Sequence, residues 1–424
     1  MSKYNINEKE SRKTMIERKS LLLPTISLTS LRSNDENEDD YWFQVLELCC
    51  QQNPSHFGIE FPSTAFQNFE YLDSGTYSHV IKATAIQYKY TPIVFKIIKV
   101  VQKATLNKLN VLSFNGFEQY SDVYQEIVIT KVLSDLHNLV CDAHGYEYQT
   151  HCFPRIYCTK IVHGEIPNYF LIRKYDENET KAKPVERFEE LHGVPRENLA
   201  ILMKYCGDSL WQLFKHRYRI TSSGATVGLT PCQLLGICYQ VTLALAVAEC
   251  VYQFEHRDLH VCNVLVKKTK KETISFVIRS VSYNVKSFGV KVCLIDATFS
   301  RICLGDKVYF TDLTNRLKAT ASTPNPDAQE EAYKLMYNKV VDKWRDWFPE
   351  TNIYWCKYFY NEVYNSEAFR SAEPDNSTRK GLQNLIDTIS DHRTLRGFIE
   401  TMFRIPTNSN TNINTTTSAR TTSH

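Results

Sequence analysis

The chain has 424 residues, of which 43% are hydrophobic and 23% are charged. This is the composition of an ordinary globular protein, and a chain of this length forms about two to three domains or one large two-lobed unit. The 50 basic and 47 acidic residues give a net charge of +3, which is too small to indicate a nucleic-acid or membrane surface. Charge therefore gives no direct sign of a nucleic-acid partner and does not name another.

The cysteine pattern and the N-terminus indicate the compartment. The 13 cysteines include no C-x-x-C pair, which argues against a disulfide framework and a thiolate zinc site. The first ten residues carry acids and amides where a signal peptide needs a basic patch and an apolar run. The most apolar stretch, residues 234–254, contains Gln240 and Glu249, so a buried helix is predicted and not a membrane span. We expect an intracellular protein, nuclear or cytoplasmic.

Both ends of the sequence are polar. Residues 1–40 are rich in Lys, Glu, Ser, Asn and Asp, and residues 405–424 are rich in Ser, Thr and Asn. Such segments bury too little apolar surface to offset their ordering entropy, so we predict a disordered leader and a disordered tail. Between them we predict a small lobe with an N-terminal extension at residues 41–203 and a larger lobe at residues 204–404.

The first half of the folded part has the pattern of a sheet. Short β-branched or aromatic runs separated by turn residues predict antiparallel strands. Apolar residues at helical spacing predict one helix within this sheet. In chain order the predicted elements are strands at 69–72, 80–86 and 93–98, a helix at 120–136, and strands at 169–172 and 199–203.

Helices dominate the second half. Thr230 followed by Pro231 is a helix start signal, because a capping hydroxyl precedes a proline at the first helical position. Further helical zones are predicted at residues 327–341 and 344–364. The predicted fold class is therefore α+β and bilobal: a small antiparallel sheet with one main helix, then a larger and mainly helical lobe.

Residues 256–263 (His-Arg-Asp-Leu-His-Val-Cys-Asn) match the pattern H-R-D-L-x-x-x-N and are followed at once by a predicted strand. In that pattern Asp258 accepts the proton of a substrate hydroxyl, and Asn263 reaches the magnesium of the reacting phosphate. An ordinary polar loop is the bland alternative. The second alternative is that His256 and His260 form a metal-binding pair. It is disfavoured because a zincin helix needs Glu next to the first His, and Arg257 stands there.

Three further residues fit the same chemistry. Asp296 ends the predicted strand at 290–295, at the place where a kinase carries the aspartate that holds magnesium. Lys96 lies in an apolar strand and needs an anionic partner, for which Glu126 on the predicted helix is the candidate. The Lys–Glu pair would hold the α- and β-phosphates of ATP. Each residue also has an ordinary structural interpretation when taken alone. An aspartate like Asp296 is more often a turn residue, a lysine like Lys96 more often lies at a sheet edge facing water, and a glutamate like Glu126 more often lies on a solvated helix face.

The phosphate-covering loop is the weakest element. Residues 72–80 form the predicted turn between the first two strands, and of the pattern G-x-G-x-x-G they keep only Gly75, with Val80 beginning the second strand. A glycine lets the backbone approach the phosphates. We expect weakened nucleotide affinity and not a lost site. A plain hairpin turn is the alternative.

These motifs resemble the eukaryotic protein kinase fold, and several are similar to the haspin family in particular. Residues 296–302 (Asp-Ala-Thr-Phe-Ser-Arg-Ile) resemble the family's D-Y-T-L-S-R-L, and residues 327–336 resemble its D-Y-Q-x-D-I-Y-R-L-M helix. The resemblance runs from about residue 69 to residue 404. It implies a Ser/Thr protein kinase that uses ATP and Mg²⁺, with a histone tail or chromatin as the candidate protein partner. It also implies an activation segment that is ordered without phosphorylation.

The same resemblance implies a hinge for adenine. Met203 takes the gatekeeper position, and Lys204, Tyr205 and Cys206 present backbone groups to the base. The sequence departs from the family where acidic residues grip the basic histone tail, since residues 314–318 carry two basic side chains and no acid. A basic substrate would be repelled there.

Two other functions stay open. A pseudokinase that acts as a scaffold is favoured by the degraded glycine loop, whereas five intact polar positions count against it. A small-molecule kinase of the aminoglycoside type is disfavoured because the sequence after residue 327 follows the haspin pattern. We expect a monomer.

Overall fold

The computed structural model describes residues 38–74, 78–86, 89–101, 118–170, 197–215, 228–404 and 413–416. They divide into two compact units, one with residues up to Tyr124 and Ile156–Tyr205, the other with Gln125–Arg155 and the residues from Cys206 on. The division after Tyr205 lies close to the predicted lobe boundary at 203/204, whereas Gln125–Arg155, predicted within the small lobe at 41–203, belongs to the second unit. Most of the predicted leader and tail, and Gly75 of the predicted phosphate loop, lie outside the described residues.

The strands confirm the predicted mixture of sheet and helix. Most are short, and the long ones belong to the first unit. In chain order they are β1 (Ser55–His56), β2 (Phe66–Ser74), β3 (Ser78–Ala85), β4 (Thr91–Val101), β5 (Glu118–Gln119), β6 (Val140–Cys141), β7 (Glu147–Tyr148), β8 (Ile156–His163), β9 (Glu197–Lys204), β10 (Asp208–Ser209), β11 (Val264–Lys268), β12 (Thr273–Ile278), β13 (Val281–Lys286), β14 (Val290–Leu294), β15 (Arg301–Leu304), β16 (Lys307–Phe310) and β17 (Ile413–Thr416).

The helices concentrate in the second unit, as the predicted α+β class requires. Single 3-10 turns lie at Asn168–Phe170 and Val261–Asn263. The helices are α1 (Glu38–Leu48), α2 (Phe57–Glu60), α3 (Tyr120–Asp135), α4 (Leu210–Lys215), α5 (Pro231–Tyr252), α6 (Thr314–Ala321), α7 (Ala328–Val340), α8 (Glu350–Asn365), α9 (Glu367–Arg370), α10 (Asn376–Ile389) and α11 (Leu395–Arg404).

The first unit is built on a seven-stranded sheet with the order β1-β8-β9-β4-β3-β2, in which β5 also pairs with β4. The long neighbours are antiparallel, as predicted, while the short pairs β1–β8 and β4–β5 are parallel. One face of the sheet packs an aromatic cluster around Phe95, whose ring centroid lies 5.2 Å from those of Phe61 and Phe66. This face forms the core of the unit.

One predicted strand is wrong. Residues 169–172 were expected to be extended, but Asn168–Phe170 forms a 3-10 turn, and residues 171–172 lie outside the described part of the chain. The Phe170 N–H donates to Pro167 O at 2.9 Å, and the Phe170 ring centroid lies 4.9 Å from that of Phe95. An aromatic run fills a core equally well from a turn, so its composition alone did not distinguish the two structures.

Helix α5 is the central helix of the second unit. Thr230 caps it through a capping box with Gln233, and Pro231 is its first residue, which confirms the predicted start. By length and composition it could cross a membrane, but 78% of its most apolar window is buried inside the protein. The buried polar side chain of Gln240 is satisfied by the main chain of β14: it donates to Val290 O at 3.2 Å and accepts from Val292 N at 3.0 Å. The predicted buried helix is therefore confirmed.

Small sheets flank this helix. Strands β10, β11 and β14 form one, in which Val264 pairs with Leu294 and Leu265 with Cys293. Strands β12, β13 and β17 form another, and β17 lies within the predicted disordered tail. The structure differs from the sequence prediction there because residues 413–416 form main-chain pairs with β13, which do not require apolar side chains.

Candidate active site

The predicted nucleotide-binding residues of the first unit share one face of its sheet. Val80 on β3 pairs with Lys96 on β4, which in turn pairs with Ile201 on β9. Met203 lies two positions further along β9, opposite Val94. Side chains alternate between the two faces of a strand, so Val80, Lys96 and Met203 lie on the face opposite the aromatic cluster around Phe95. The register thus aligns three residues that lie far apart in the sequence.

The predicted hinge residues follow β9. Lys204 pairs with Ile93, and the Tyr205 N–H donates to Pro92 O at 3.2 Å. The Tyr205 ring carries the Lys82 ammonium 4.6 Å from its centroid. The end of β9 is therefore fixed to the neighbouring strand.

Cys206 begins the second unit and is partly buried. The next residue, Gly207, has a φ of +112°, and a Cβ there would lie 2.1 Å from Val266 O. Only glycine fits a position with both a left-handed backbone and such a close approach. This contact fixes the chain after Cys206 against β11.

Glu126 lies on α3 and is buried. The Thr298 hydroxyl lies 3.4 Å from its Oε2. Thr298 belongs to the turn after Asp296, so this contact joins α3 to the predicted metal-binding turn. Lys96 belongs to the other unit, and its pairing with Glu126 stays a prediction.

The H-R-D-L-x-x-x-N segment folds into a loop that brings Asp258 and Asn263 together. The Asn263 amide donates to Asp258 O at 2.9 Å and lies 3.4 Å from Asp258 Oδ2. The backbone N–H of Asn263 donates to His260 O at 2.9 Å. Hydrogen bonds within the loop therefore hold the two side chains together, although they are five positions apart in the sequence.

The Asp258 carboxylate contacts Tyr333 and His260. Its Oδ1 accepts a hydrogen bond from the Tyr333 hydroxyl, and its Oδ2 lies 3.6 Å from His260 Nε2. Burial raises the pKa of Asp258 to about 6 and outweighs the lowering effects of His260 and of the Tyr333 hydrogen bond; the nearby Asp296 charge acts in the same direction as burial. A carboxylate with a raised pKa is a better proton acceptor than an ordinary surface aspartate.

Asp296 occupies a strained turn. Its φ is +68°, a left-handed conformation that non-glycine residues adopt rarely and that is common at functional sites. The Thr298 N–H donates to Asp296 Oδ1 at 3.2 Å, and the Ile295 N–H donates to Asn263 O at 3.0 Å. The second bond brings the turn next to the catalytic loop.

The donor chemistry of Asn263 and Asp296 fits magnesium. The Asn263 side-chain nitrogen is engaged by Asp258, so the amide oxygen is the atom available to a ligand. Carboxylate and amide oxygens are hard donors, and Mg²⁺ completes its octahedral shell with water and phosphate oxygens. Among the described residues no group of three or more His, Cys, Asp or Glu side chains could hold a metal ion. An ion held by Asn263 and Asp296 would keep coordination positions for the phosphate oxygens of a nucleotide.

The other members of the loop are structural. Arg257 has a φ of +63°, and its side chain is 0% exposed, as is that of its ion-pair partner Glu255 at 3.1 Å. His256 is buried, which lowers its pKa to about 4 and keeps the ring neutral. His260 Nδ1 accepts from the Cys262 N–H at 3.2 Å. These contacts assign both histidines to the loop itself, against the metal-pair alternative.

Sequence reasoning missed two contributors. Tyr333, which contacts the predicted base, lies 75 residues further along the chain. Glu255, which neutralises Arg257, directly precedes the motif. Glu255 could have been found, because a buried arginine requires an anionic partner. For Tyr333 the only signal was its place in the helix at residues 327–336.

The sequence is similar to known proteins of one family. A family model described as "Haspin like kinase domain" matches residues 10–418. The chain is 29% identical over 381 residues to "Serine/threonine-protein kinase haspin homolog" of Drosophila melanogaster, covering 88% of this chain and 60% of that protein. It is 26% identical over 364 residues to the Arabidopsis thaliana protein of the same name, covering 84% of this chain and 55% of that protein.

A mammalian relative extends the comparison. "Serine/threonine-protein kinase haspin" of Bos taurus is 26% identical over 352 residues, covering 82% of this chain and 40% of that protein. The matched segment therefore spans between 40% and 60% of the length of these relatives.

Proposed function

This chain belongs to the haspin-like kinase family, and we propose that it is an active Ser/Thr protein kinase that transfers the γ-phosphate of ATP to a hydroxyl group of a protein. The observation that carries the proposal is the cluster of Asp258, Asn263 and Asp296 in the second unit. Hydrogen bonds link the first two, and the backbone bond from Ile295 to Asn263 places the third beside them.

In this proposal each residue has one task. Asp258 accepts the proton of the attacking hydroxyl, and its raised pKa of about 6 suits that task near neutral pH. Asn263 and Asp296 would hold Mg²⁺, which neutralises charge on the transferred phosphate when it is bound. Positioning and electrostatics supply most of the acceleration in phosphoryl transfer, so a cluster fixed by hydrogen bonds before substrate arrives supports activity.

We propose that the first unit is the nucleotide-binding lobe. Lys96, paired with Glu126, would hold the α- and β-phosphates, and Val80 and Met203 would flank adenine from the shared face of the sheet. Lys204, Tyr205 and Cys206 would present backbone groups to the base. Gly75 would cover the phosphates. The alignment of Val80, Lys96 and Met203 supports this assignment.

We propose that the kinase is active without phosphorylation of its activation segment. Kinases that need such a phosphate order the segment through new arginine–phosphate pairs. Arg257 in the catalytic loop is buried and paired with Glu255, and its Nη2 donates to Trp344 O at 3.0 Å. The charge of the arginine that would bind such a phosphate is therefore already neutralised within the fold.

The substrate is proposed to be a protein, with a histone tail as one candidate and an acidic segment as the other. Arg316 and Lys318 are exposed on α6, and the Arg316 guanidinium lies 5.7 Å from the Phe299 ring centroid. This places a positive charge near the turn that follows Asp296, which favours acidic residues in the substrate. We propose an intracellular, monomeric protein.

The decisive experiment uses the purified full chain with radiolabelled ATP, Mg²⁺ and an array of basic and acidic peptides. Incorporation of label into Ser or Thr of peptides is expected, and it should be lost in Asp258→Asn by at least about a thousandfold, because the proton acceptor is gone. A thermal shift with Mg·ATP checks that the variant still binds nucleotide. Nucleotide binding without transfer by the wild-type chain would show a pseudokinase instead.

A further inference from the structure

Within the described part of the chain, Tyr333 contacts the predicted base from outside the catalytic motifs. We propose that Tyr333 is a positioning residue: it binds Oδ1 of Asp258, fixes the carboxylate plane, and leaves Oδ2 as the oxygen that accepts the substrate proton. This inference rests on the proposed kinase activity. It adds a residue and an atom-level assignment that the motifs do not contain.

The contact of Tyr333 with Asp258 is direct. The phenol hydroxyl donates to Asp258 Oδ1. The Tyr333 ring meets the Trp355 ring edge-on, with centroids 4.8 Å apart, and its centroid lies 6.4 Å from that of Phe299. Edge-to-face packing of this kind restricts the ring as well as stabilising it. The hydroxyl is therefore held where the carboxylate needs it.

The helix that carries Tyr333 is anchored at its start and along one side. Asp327 caps α7 in a capping box with Glu330, and such caps stabilise the first turn by about 1 kcal/mol. Ala332, Met336 and Val340 are buried along the same helix. Because the backbone on both sides of Tyr333 is fixed in this way, the phenol can act as a rigid support for the base.

The two oxygens of Asp258 differ in their surroundings. Oδ1 is engaged by the phenol, whereas Oδ2 lies 3.4 Å from Asn263 Nδ2 and 3.6 Å from His260 Nε2. Both contacts of Oδ2 are longer than an ordinary N–H···O hydrogen bond. Oδ2 is therefore the oxygen less engaged by the protein, and we assign the substrate proton to it.

Tyr333 also packs against the turn that carries the metal ligand. Phe299 follows Asp296 by three positions in the turn, and its ring is the second aromatic neighbour of Tyr333. One side chain therefore contacts both the base and the turn of the predicted metal ligand. A misplacement of the reacting groups by about 1 Å lowers the rate by up to about a hundredfold. In this proposal Tyr333 fixes the distance between Asp258 and the turn of Asp296, on which the rate depends.

The test is Tyr333→Phe, which removes the hydroxyl and keeps the ring packing. With the full chain and the best array peptide, kcat should fall about tenfold to a hundredfold while KM for ATP changes by less than about twofold. The matched control is Tyr337→Phe, one turn along the same helix, where the ring packs near Trp344. It should retain wild-type kcat. An unchanged kcat in Tyr333→Phe, or an equal loss in the control, overturns the inference.

A second measurement does not depend on activity. Melting temperatures of Tyr333→Phe are compared in the wild-type chain and in an Asp258→Ala chain. If the phenol binds the carboxylate, the shift caused by Tyr333→Phe is smaller when Asp258 is absent. Equal shifts refute the contact and with it the positioning role. If the shift is smaller in the Asp258→Ala chain but the wild-type chain transfers no phosphate, the proposed function is wrong. Tyr333 is then only a structural partner of Asp258.

Discussion

Glu255 and Asp258 lie in the same loop, yet their surroundings differ in charge. Glu255 accepts from Arg257 Nε at 3.1 Å, from the Phe348 N–H at 2.9 Å and from the Thr351 hydroxyl at 2.9 Å. Asp258 accepts from the Tyr333 phenol, and its Oδ2 lies 3.4 Å from the Asn263 amide and 3.6 Å from His260 Nε2. An arginine bound directly to a buried carboxylate commits that carboxylate to the fold, whereas a carboxylate bound by a phenol stays able to exchange a proton.

Glu249, near the end of α5, is intermediate between the two. Its Oε2 accepts from the Asn352 amide at 3.0 Å, and its Oε1 accepts from the Leu395 N–H at the start of α11 at 2.8 Å. These donors are neutral but numerous, and burial raises its pKa to about 7. Glu249 therefore makes structural contacts but has a pKa raised to near neutrality, as catalytic carboxylates often have. This combination makes it the most informative of the three carboxylates to measure.

The largest effect on stability is expected at Glu255. Glu255→Gln leaves the buried Arg257 without its anionic partner, and breaking a buried ion pair from one side costs about 3–5 kcal/mol. Urea unfolding followed by circular dichroism measures the loss. Glu331→Gln is the matched control, because Glu331 is exposed on α7 and should change stability by less than about 0.5 kcal/mol. A loss at Glu255 no greater than in the control would contradict the comparison.

An intermediate effect that depends on pH is expected at Glu249. Since burial raises its pKa to about 7 from an ordinary 4.5, the folded chain keeps a proton between these values that the unfolded chain releases. The stability contributed by this proton is fully present below about pH 4.5 and is lost as pH rises through about 7, a change of about 3 kcal/mol.

Glu249→Gln removes this titration. Urea midpoints measured between about pH 5 and about pH 8 should fall more steeply with rising pH in the wild-type chain than in the variant. Glu331→Gln should keep the wild-type slope. Parallel slopes in the Glu249 variant and the wild-type chain would show that Glu249 titrates normally.

The smallest effect on stability is expected at Asp258. Asp258→Asn removes a charge whose burial is unfavourable and keeps an oxygen for the Tyr333 hydroxyl, so the free energy of unfolding should change by less than about 1 kcal/mol. The same variant should lose phosphoryl transfer. Urea unfolding beside the transfer assay separates the two quantities. A loss of stability like that of Glu255→Gln would place Asp258 among the structural acids.

Local sequence signals predicted the main elements of the fold. The hydroxyl–proline pair at Thr230 and Pro231 predicted the start of α5, and β-branched or aromatic runs bounded by turn residues predicted β3 and β4. The motif spacing predicted that Asp258 and Asn263 would meet, because one short loop carries both. These features depend on residues close together in the chain, where propensity and pattern are informative.

Features that depend on distant partners escaped prediction. The 3-10 turn at Asn168–Phe170 is fixed by the aromatic cluster of a sheet whose order the sequence does not state. Tyr333 reaches Asp258 across 75 positions. Both outcomes depend on tertiary packing, which overrides local propensity.

The pairing of β17 with β13 has a practical consequence. A chain shortened to residue 404 would lose Ile413–Thr416 and uncover the main-chain donors and acceptors of residues 282–285 of β13 that β17 now engages. An open edge of this kind recruits strands from other molecules. Truncation at the last helix, chosen to trim a polar terminus, would therefore invite self-association during purification.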